Sequence, residues 1–169
     1  MAERWKPNVT VAAVIERRGA GGVAEFLLVE EETPEGLKLN NPAGHLDPAE
    51  SPEEAVVREV LEETACAFAP EALVGIYLSR FLRPATGEDV TFFRIAYGGA
   101  VGEPDAGRAL DAGIVRTLWM TLPALRASRE HHRSPHVLRC IEDWLAGQRL
   151  PKEAITVDAS LWSPPAKGG

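Results

Sequence analysis

Residues 44–65 read GHLDPAESPEEAVVREVLEETA, and they hold seven carboxylates against a single basic residue, Arg58. Ser51 is followed three residues later by Glu54, the pattern of a capping box, and Pro52 falls at the first helical position, where its missing N–H does no harm. The spacing therefore predicts a helix from Ser51 to about Ala67. At ~100° per residue, Glu59, Glu62 and Glu63 share one narrow stripe, while Val56, Val57, Val60, Leu61 and Thr64 form a separate apolar arc. Like charges three and four residues apart each cost about 0.2–0.5 kcal/mol, and Arg58, expected to point partly away, is their one offset. Two readings fit such a stripe. It is a solvated acidic face, or it is a site for a hard divalent cation such as Mg²⁺ or Mn²⁺, which takes oxygen ligands and keeps several waters.

Outward from this helix, the chain alternates strands with few helices. NVTVAAVIE (8–16) and VAEFLLVEE (23–31) flank the break RRGAGG and read as a strand hairpin. TPEGLKLNNP (33–42) reads as loop. ALVGIYLSRFL (72–82), VTFFRIAY (90–97) and IVRTLWM (114–120) read as strands, the first two separated by the turn PATGED. A second helix is expected over 134–147, opened by Pro135 and closed by Gly147, and the tail from Leu150 reads as irregular. Strands interleaved with two helices imply a layered α/β sandwich around a mixed sheet.

The chain has 169 residues and 45% apolar content, enough for one domain with a core over 1–169, ordered from about residue 5 to 162. A formal net charge of −7 argues against nonspecific binding of nucleic acid or of an anionic membrane, both of which ask for a basic face. An acidic protein that handles phosphates needs metal ions in between. No signal-like start and no long apolar run is present, so a cytoplasmic location is expected. Cys66 and Cys140 fall inside apolar helical patterns and read as small buried hydrophobes.

The spacing of the acidic segment is more specific than its composition. Gly44, Glu50, Arg58, Glu59, Val60, Glu62 and Glu63 meet seven of the nine fixed positions of the Nudix box, so the chain resembles the Nudix hydrolases. Two positions depart. Ala65 replaces the second glycine, which usually adopts a left-handed conformation at a cost of roughly 1 kcal/mol to a residue with Cβ, and Cys66 replaces an aliphatic residue. The resemblance implies a loop-helix-loop site on an α/β/α sandwich and Mg²⁺-dependent hydrolysis of a phosphoanhydride. It further implies that the Gly44 carbonyl and the carboxylates of Glu59, Glu62 and Glu63 hold the metal, that Glu59 can take a proton from water, and that Glu50 and Arg58 orient these groups. The flanks KPNVTVAAV, FLLVEEE and NPAGH, with RSPHVLRCIEDWLAGQRLP further on, are similar to the NudJ-type phosphatase branch. That branch acts on thiamine-related pyrophosphates and on nucleoside di- and triphosphates, with release of orthophosphate.

Alternatives stay open within this resemblance. One is a general pyrophosphohydrolase of nucleoside triphosphates or ADP-ribose, and another is a sensor that binds a nucleotide without turnover, although such sensors usually lose box carboxylates that this chain keeps. The expected partner is a small-molecule pyrophosphate or nucleotide, with the protein a monomer or small homo-oligomer. Related sequences often place the base about six residues before the strand tryptophan, here Trp119; that position is Gly113, which leaves Asp111 as the nearest substitute. His45, beside Gly44, and Arg133 are candidates for substrate contact. His131, His132 and His136 suggest a zinc cluster, but adjacent residues 131 and 132 point apart on any regular element. Trp119 and Trp144 read as packing, and Tyr77 and Phe93 as core residues with an alternative role in stacking on a ring.

Overall fold

The computed structural model describes residues 5–84 and 86–163. Strand β1 (Asn8–Arg18) is its axis. Val11 to Ile15 are almost fully buried on both faces, as a central strand with sheet neighbours and helices on each side requires. β1 runs parallel to β6 (Asp89–Val101) along one edge, from Asn8 against Phe92 to Ile15 against Gly99. Its other edge is divided. Thr10–Ala12 pair with the three-residue β4 (Ala43–His45), and only Glu16–Arg18 pair with β2 (Ala24–Thr33).

The expected hairpin between β1 and β2 therefore lasts three residue pairs, after which the strands enter different sheets. β2 goes on to pair with β3 (Gly36–Asn40) and with β7 (Ile114–Thr121), while β6 forms a long antiparallel hairpin with β5 (Phe68–Leu82). The segment 33–42, read as loop, in fact contains β3. Its short pattern GLKLN is flanked by Pro34 and Pro42, and the ladder to β2 supplies the order that local signals did not.

Period-two alternation along β1 divides the core. Val11, Ala13 and Ile15 face α1 (Pro52–Thr64) through Val56 and Val60, whose full burial is worth about 1.5–3 kcal/mol each. Ala12 and Val14 face α3 (His136–Leu145) through Val137, Leu138, Ile141 and Trp144. A mixed sheet with helices on both faces is the expected α/β sandwich. Trp144 lies flat on Gly98, where a Cβ would collide with the indole ring, and its Nε1–H donates to Glu16 at 2.9 Å. Trp119 packs against the α1-side core, with Arg17 over its ring.

Other boundaries differ from the sequence reading. α1 ends at Thr64, with Ala65 as a left-handed cap at φ 58°, ψ 15°, and Cys66 lies beyond the helix although buried. The late helix starts at His136 with Pro135 as its cap. A short helix, α2 (Leu122–Ala127), follows β7 and has no clear sequence signature, since it buries only Leu125. The tail is more regular than expected: Leu150 bridges to Leu73, two 3₁₀ turns follow, and Lys152 and Trp162 bond to Glu53 and Glu54 at the start of α1. Among the described residues no helix is long and apolar enough to cross a membrane.

Candidate active site

The first turn of α1 is built as expected. Ser51 Oγ accepts from the Glu54 N–H at 3.2 Å, and Glu54 Oε2 accepts from the Ser51 N–H at 2.8 Å. This pins the helix entry, so the register of Glu59, Glu62 and Glu63 against β4 is set by the cap and by the apolar arc on Val56 and Val60. Glu59 and Glu63 are buried at 8% and 6% exposure, whereas Glu62 lies nearer the solvent. The Glu59 carboxylate rests on Gly44 so closely that any Cβ there would collide with it. Glu63 Oε2 accepts from the Ala43 N–H at 2.8 Å. Two buried carboxylates thus converge on the backbone of residues 43–44.

Arg58 does not point away, as the helical wheel suggested. Its guanidinium makes a two-pronged contact with Glu50 at 2.8 and 2.9 Å, bonds Glu59 at 2.7 Å and Glu62 at 3.0 Å, and donates to the His45 carbonyl at 3.0 Å. The long side chain reaches past its own backbone direction because several carboxylates outweigh the cost of fixing one arginine. Hydrogen bonding to Glu50 is the main reason the Arg58 pKa is raised, and the same contact lowers that of Glu50.

Burial dominates the other two acids. It raises Glu59 despite the opposing pull of Arg58, and it pushes Glu63 up to about 8, against the Ala43 N–H and with the help of Glu59, Glu31 and Asp111. Asp111 itself is exposed; its N–H donates to the Glu62 carbonyl at 3.0 Å, and its charge acts on Glu59 and Glu63 from the far end of α1.

Beside Gly44 opens a cavity of about 460 Å³ in the cleft where β1 and β2 part. His45 and Arg133 both line it, as do Glu31, Lys38, Arg83, Phe81, Phe92 and Arg94. Arg133 lies 3.5 Å from Glu31 and from Glu35, and its N–H is held by the Leu39 carbonyl at 2.8 Å. The aromatic wall is Phe92, stacked with Phe81 at 5.9 Å between centroids and tilted against His45 at 6.2 Å. Tyr77 instead donates to Asp143 and packs on the α3-side core, and Phe93 packs on the α1 side. Strand alternation explains the difference, because Phe92 and Arg94 share one face of β6 and Phe93 the other.

His131 lies beside Glu130, His132 against Ser128 and His136 against Tyr77. Sequence reasoning missed Glu31, Arg94 and Phe92. They come from β2 and β6, which do not pair with each other but flank β1 on opposite edges, and the only available signal was a charged residue inside each apolar strand pattern.

Whether these residues suit a divalent cation can be asked of the donors themselves. Among the described residues no three acidic, histidine or cysteine side chains already converge on one point, and Arg58 occupies oxygens of Glu59 and Glu62. The donor set still fits a hard cation. It consists of carboxyl and carbonyl oxygens, and the buried Glu59 and Glu63 each disfavour the other's ionised form, a conflict that a cation relieves.

The mixed-sheet sandwich with a capped, carboxylate-rich helix beside a cationic cleft, taken with the family and relatives it matches, makes the chain a hydrolase acting on phosphoanhydrides. The NUDIX domain model matches residues 6–140, and the chain belongs to the Nudix hydrolase family. Phosphatase NudJ of Escherichia coli strain K12 is 32% identical over 152 residues, spanning 89% of this chain and 92% of that protein. A NUDIX hydrolase structure from Nitrosomonas europaea is 46% identical with a TM-score of 0.79, covering 90% and 98% of the two chains. The fold is shared as well by the NUDIX domain of Shewanella oneidensis NrtR, solved with ADP ribose, at 18% identity and a TM-score of 0.67, over 85% of this chain and 90% of that one.

Proposed function

We propose that the chain, acting as a single domain, is a Mg²⁺-dependent terminal phosphatase of pyrophosphate esters, with thiamine-related pyrophosphates and nucleoside di- and triphosphates as its substrate class. The observation that carries this reading is the convergence of Glu59 and Glu63 on Gly44 and Ala43 at the edge of a cavity with four cationic and two acidic lining residues. The similarity to Phosphatase NudJ over most of both chains supports the choice of substrates.

The Gly44 carbonyl with Glu59, Glu62 and Glu63 would hold Mg²⁺, or Mn²⁺ in its place. When bound, such an ion neutralises charge on phosphoryl oxygens and lowers the pKa of a water. Glu59, raised by burial, is the chain's own proton acceptor for the attacking water, with Asp111 the alternative. Arg58 and Glu50 orient Glu59 through the bonds already in place. To serve as ligands, Glu59 and Glu62 exchange part of their contact with Arg58, which Glu50 retains. Arg133 and His45 meet the substrate in the cleft.

Hydrolysis in ¹⁸O water, followed by mass spectrometry of both products, tests the reading. Label is expected in orthophosphate, with the organic monophosphate unlabelled. Label in the monophosphate, or pyrophosphate as the main product from a triphosphate, would replace this reading with a general pyrophosphohydrolase. Full turnover in excess EDTA would remove the metal from it.

A further inference from the structure

Arg94 stands on β6 in register with Thr10 of β1, which is itself opposite His45 of β4, so its side chain rises from the cavity floor toward the metal-side edge. It is only 7% exposed. Two of its N–H groups donate to neutral acceptors, Asn41 Oδ1 at 3.3 Å and Asn40 Oδ1 at 3.1 Å. Among the described residues no carboxylate bonds it; burial lowers its pKa, the Cys140 thiol lies against it, and Glu31 and Glu63 act on it only through space. Glu31 is already engaged by Arg133 and by the Asn40 amide, and Glu63 by the Ala43 N–H.

A buried guanidinium without an ion pair is costly, because the field of its charge is not screened by water. His136 lines the same floor, with Arg94 close enough to act on its ring, but the one N–H of its neutral form is directed to the Leu78 carbonyl. A buried cation with spare N–H groups facing the cavity calls for an acceptor that carries negative charge. A neutral carbonyl would satisfy the hydrogen bonds and leave the charge uncompensated.

We propose that Arg94 forms an anion subsite that holds the phosphate remaining on the organic product, while the phosphoryl group under attack lies at Gly44, Glu59 and Glu63. The division follows from charge. The carboxylate end repels a phosphate until a cation is present, whereas the Arg94 end attracts one at all times. Arg94 is thus a binding residue for the inner phosphate of the substrate. The assignment to a retained phosphate rests on the function proposed above, but binding of a diphosphate by Arg94 does not need turnover.

Titration calorimetry with methylenediphosphonate, whose P–C–P bridge resists hydrolysis, tests the subsite at low salt with Mg²⁺ matched in cell and syringe, which removes the repulsion at the carboxylate end. The wild-type protein is expected to bind one equivalent, Arg94→Met to bind at least tenfold more weakly, and Arg126→Met, which removes an exposed ion pair with Glu142, to bind as wild type. Under turnover, Arg94→Met should raise KM at least tenfold with kcat within threefold, the pattern of an interaction equal in ground and transition states. If Arg94→Met does not fold, Arg94→Lys carries the test. Lysine keeps the charge and loses the fork, so a three- to tenfold weaker Kd is expected. An unchanged Kd in a folded Arg94 variant, or no binding of methylenediphosphonate by the wild-type protein, overturns the subsite. Absence of hydrolysis with any diphosphate, alongside Arg94-dependent binding, would instead overturn the proposed function and leave the subsite standing.

Discussion

Glu63→Gln separates the electrostatic cost of the site from its fold. In the absence of metal, Glu63 moves from an ordinary 4.5 to about 8, chiefly through burial. A carboxyl whose pKa is raised on folding contributes its full stability below the unfolded value and loses it as pH climbs through the folded one. The loss therefore falls between about pH 4.5 and 8. At about 1.4 kcal/mol per pH unit, ionising Glu63 at pH 7 costs at most ~3 kcal/mol, and relaxation of the site reduces this to roughly 1–3. For a chain of this size that is about 3–10 °C in melting temperature. Glutamine keeps the acceptor for the Ala43 N–H and carries no charge, so it imitates the protonated acid. Scanning fluorimetry in EDTA from pH 5 to 8.5 should show the wild-type protein losing several degrees that Glu63→Gln does not lose. Glu59 and Glu31 titrate in the same direction in both proteins, and because both are coupled to Glu63 the difference between the two curves reports position 63 together with that coupling. Parallel curves, or a wild-type protein that gains stability over this range relative to the variant, would refute the argument.

Three further outcomes follow from other contacts. Glu59→Gln should lower kcat at least ~100-fold in a steady-state assay while leaving the fold intact, the scale expected when a proton acceptor or metal ligand is lost. Gly44→Ala should likewise lose most activity with near-normal circular dichroism, because its methyl displaces the Glu59 carboxylate rather than a core side chain; full activity would show that Glu59 can leave Gly44 at no cost. Gly98→Ala forces Trp144 off the sheet, and urea unfolding should register a loss of about 1–3 kcal/mol, the usual cost of overpacking.

Local chemistry makes α1 legible from its residues alone. A capping box, a proline at the first position and an apolar arc at helical spacing all act within a few residues, so they specify the helix and bring Glu59 and Glu63 to one side regardless of what packs there. The apolar runs of β1, β5, β6 and β7 are readable for the same reason, whereas the left-handed cap at Ala65 was legible only through the resemblance to the Nudix box, since alanine carries no local signal for it. β3 and α2 are not readable, because five or six residues bury too little to leave a pattern and depend on neighbours for their order.

The aim of Arg58, the place of Phe92 and the isolation of Arg94 are decided only by tertiary structure. Arg58 gathers carboxylates from three turns of chain, Glu50, Glu59 and Glu62, whose meeting point no wheel predicts. The cleft exists because β1 leaves β2 after three pairs to join β4, and that exchange is a matter of which strand edges meet. Sequence by itself determined the helix, its carboxylates and their spacing, since those depend on contacts a few residues apart. Long-range pairing determined where the carboxylates point and what charge faces them, since burial and Coulomb fields belong to the assembled sheets.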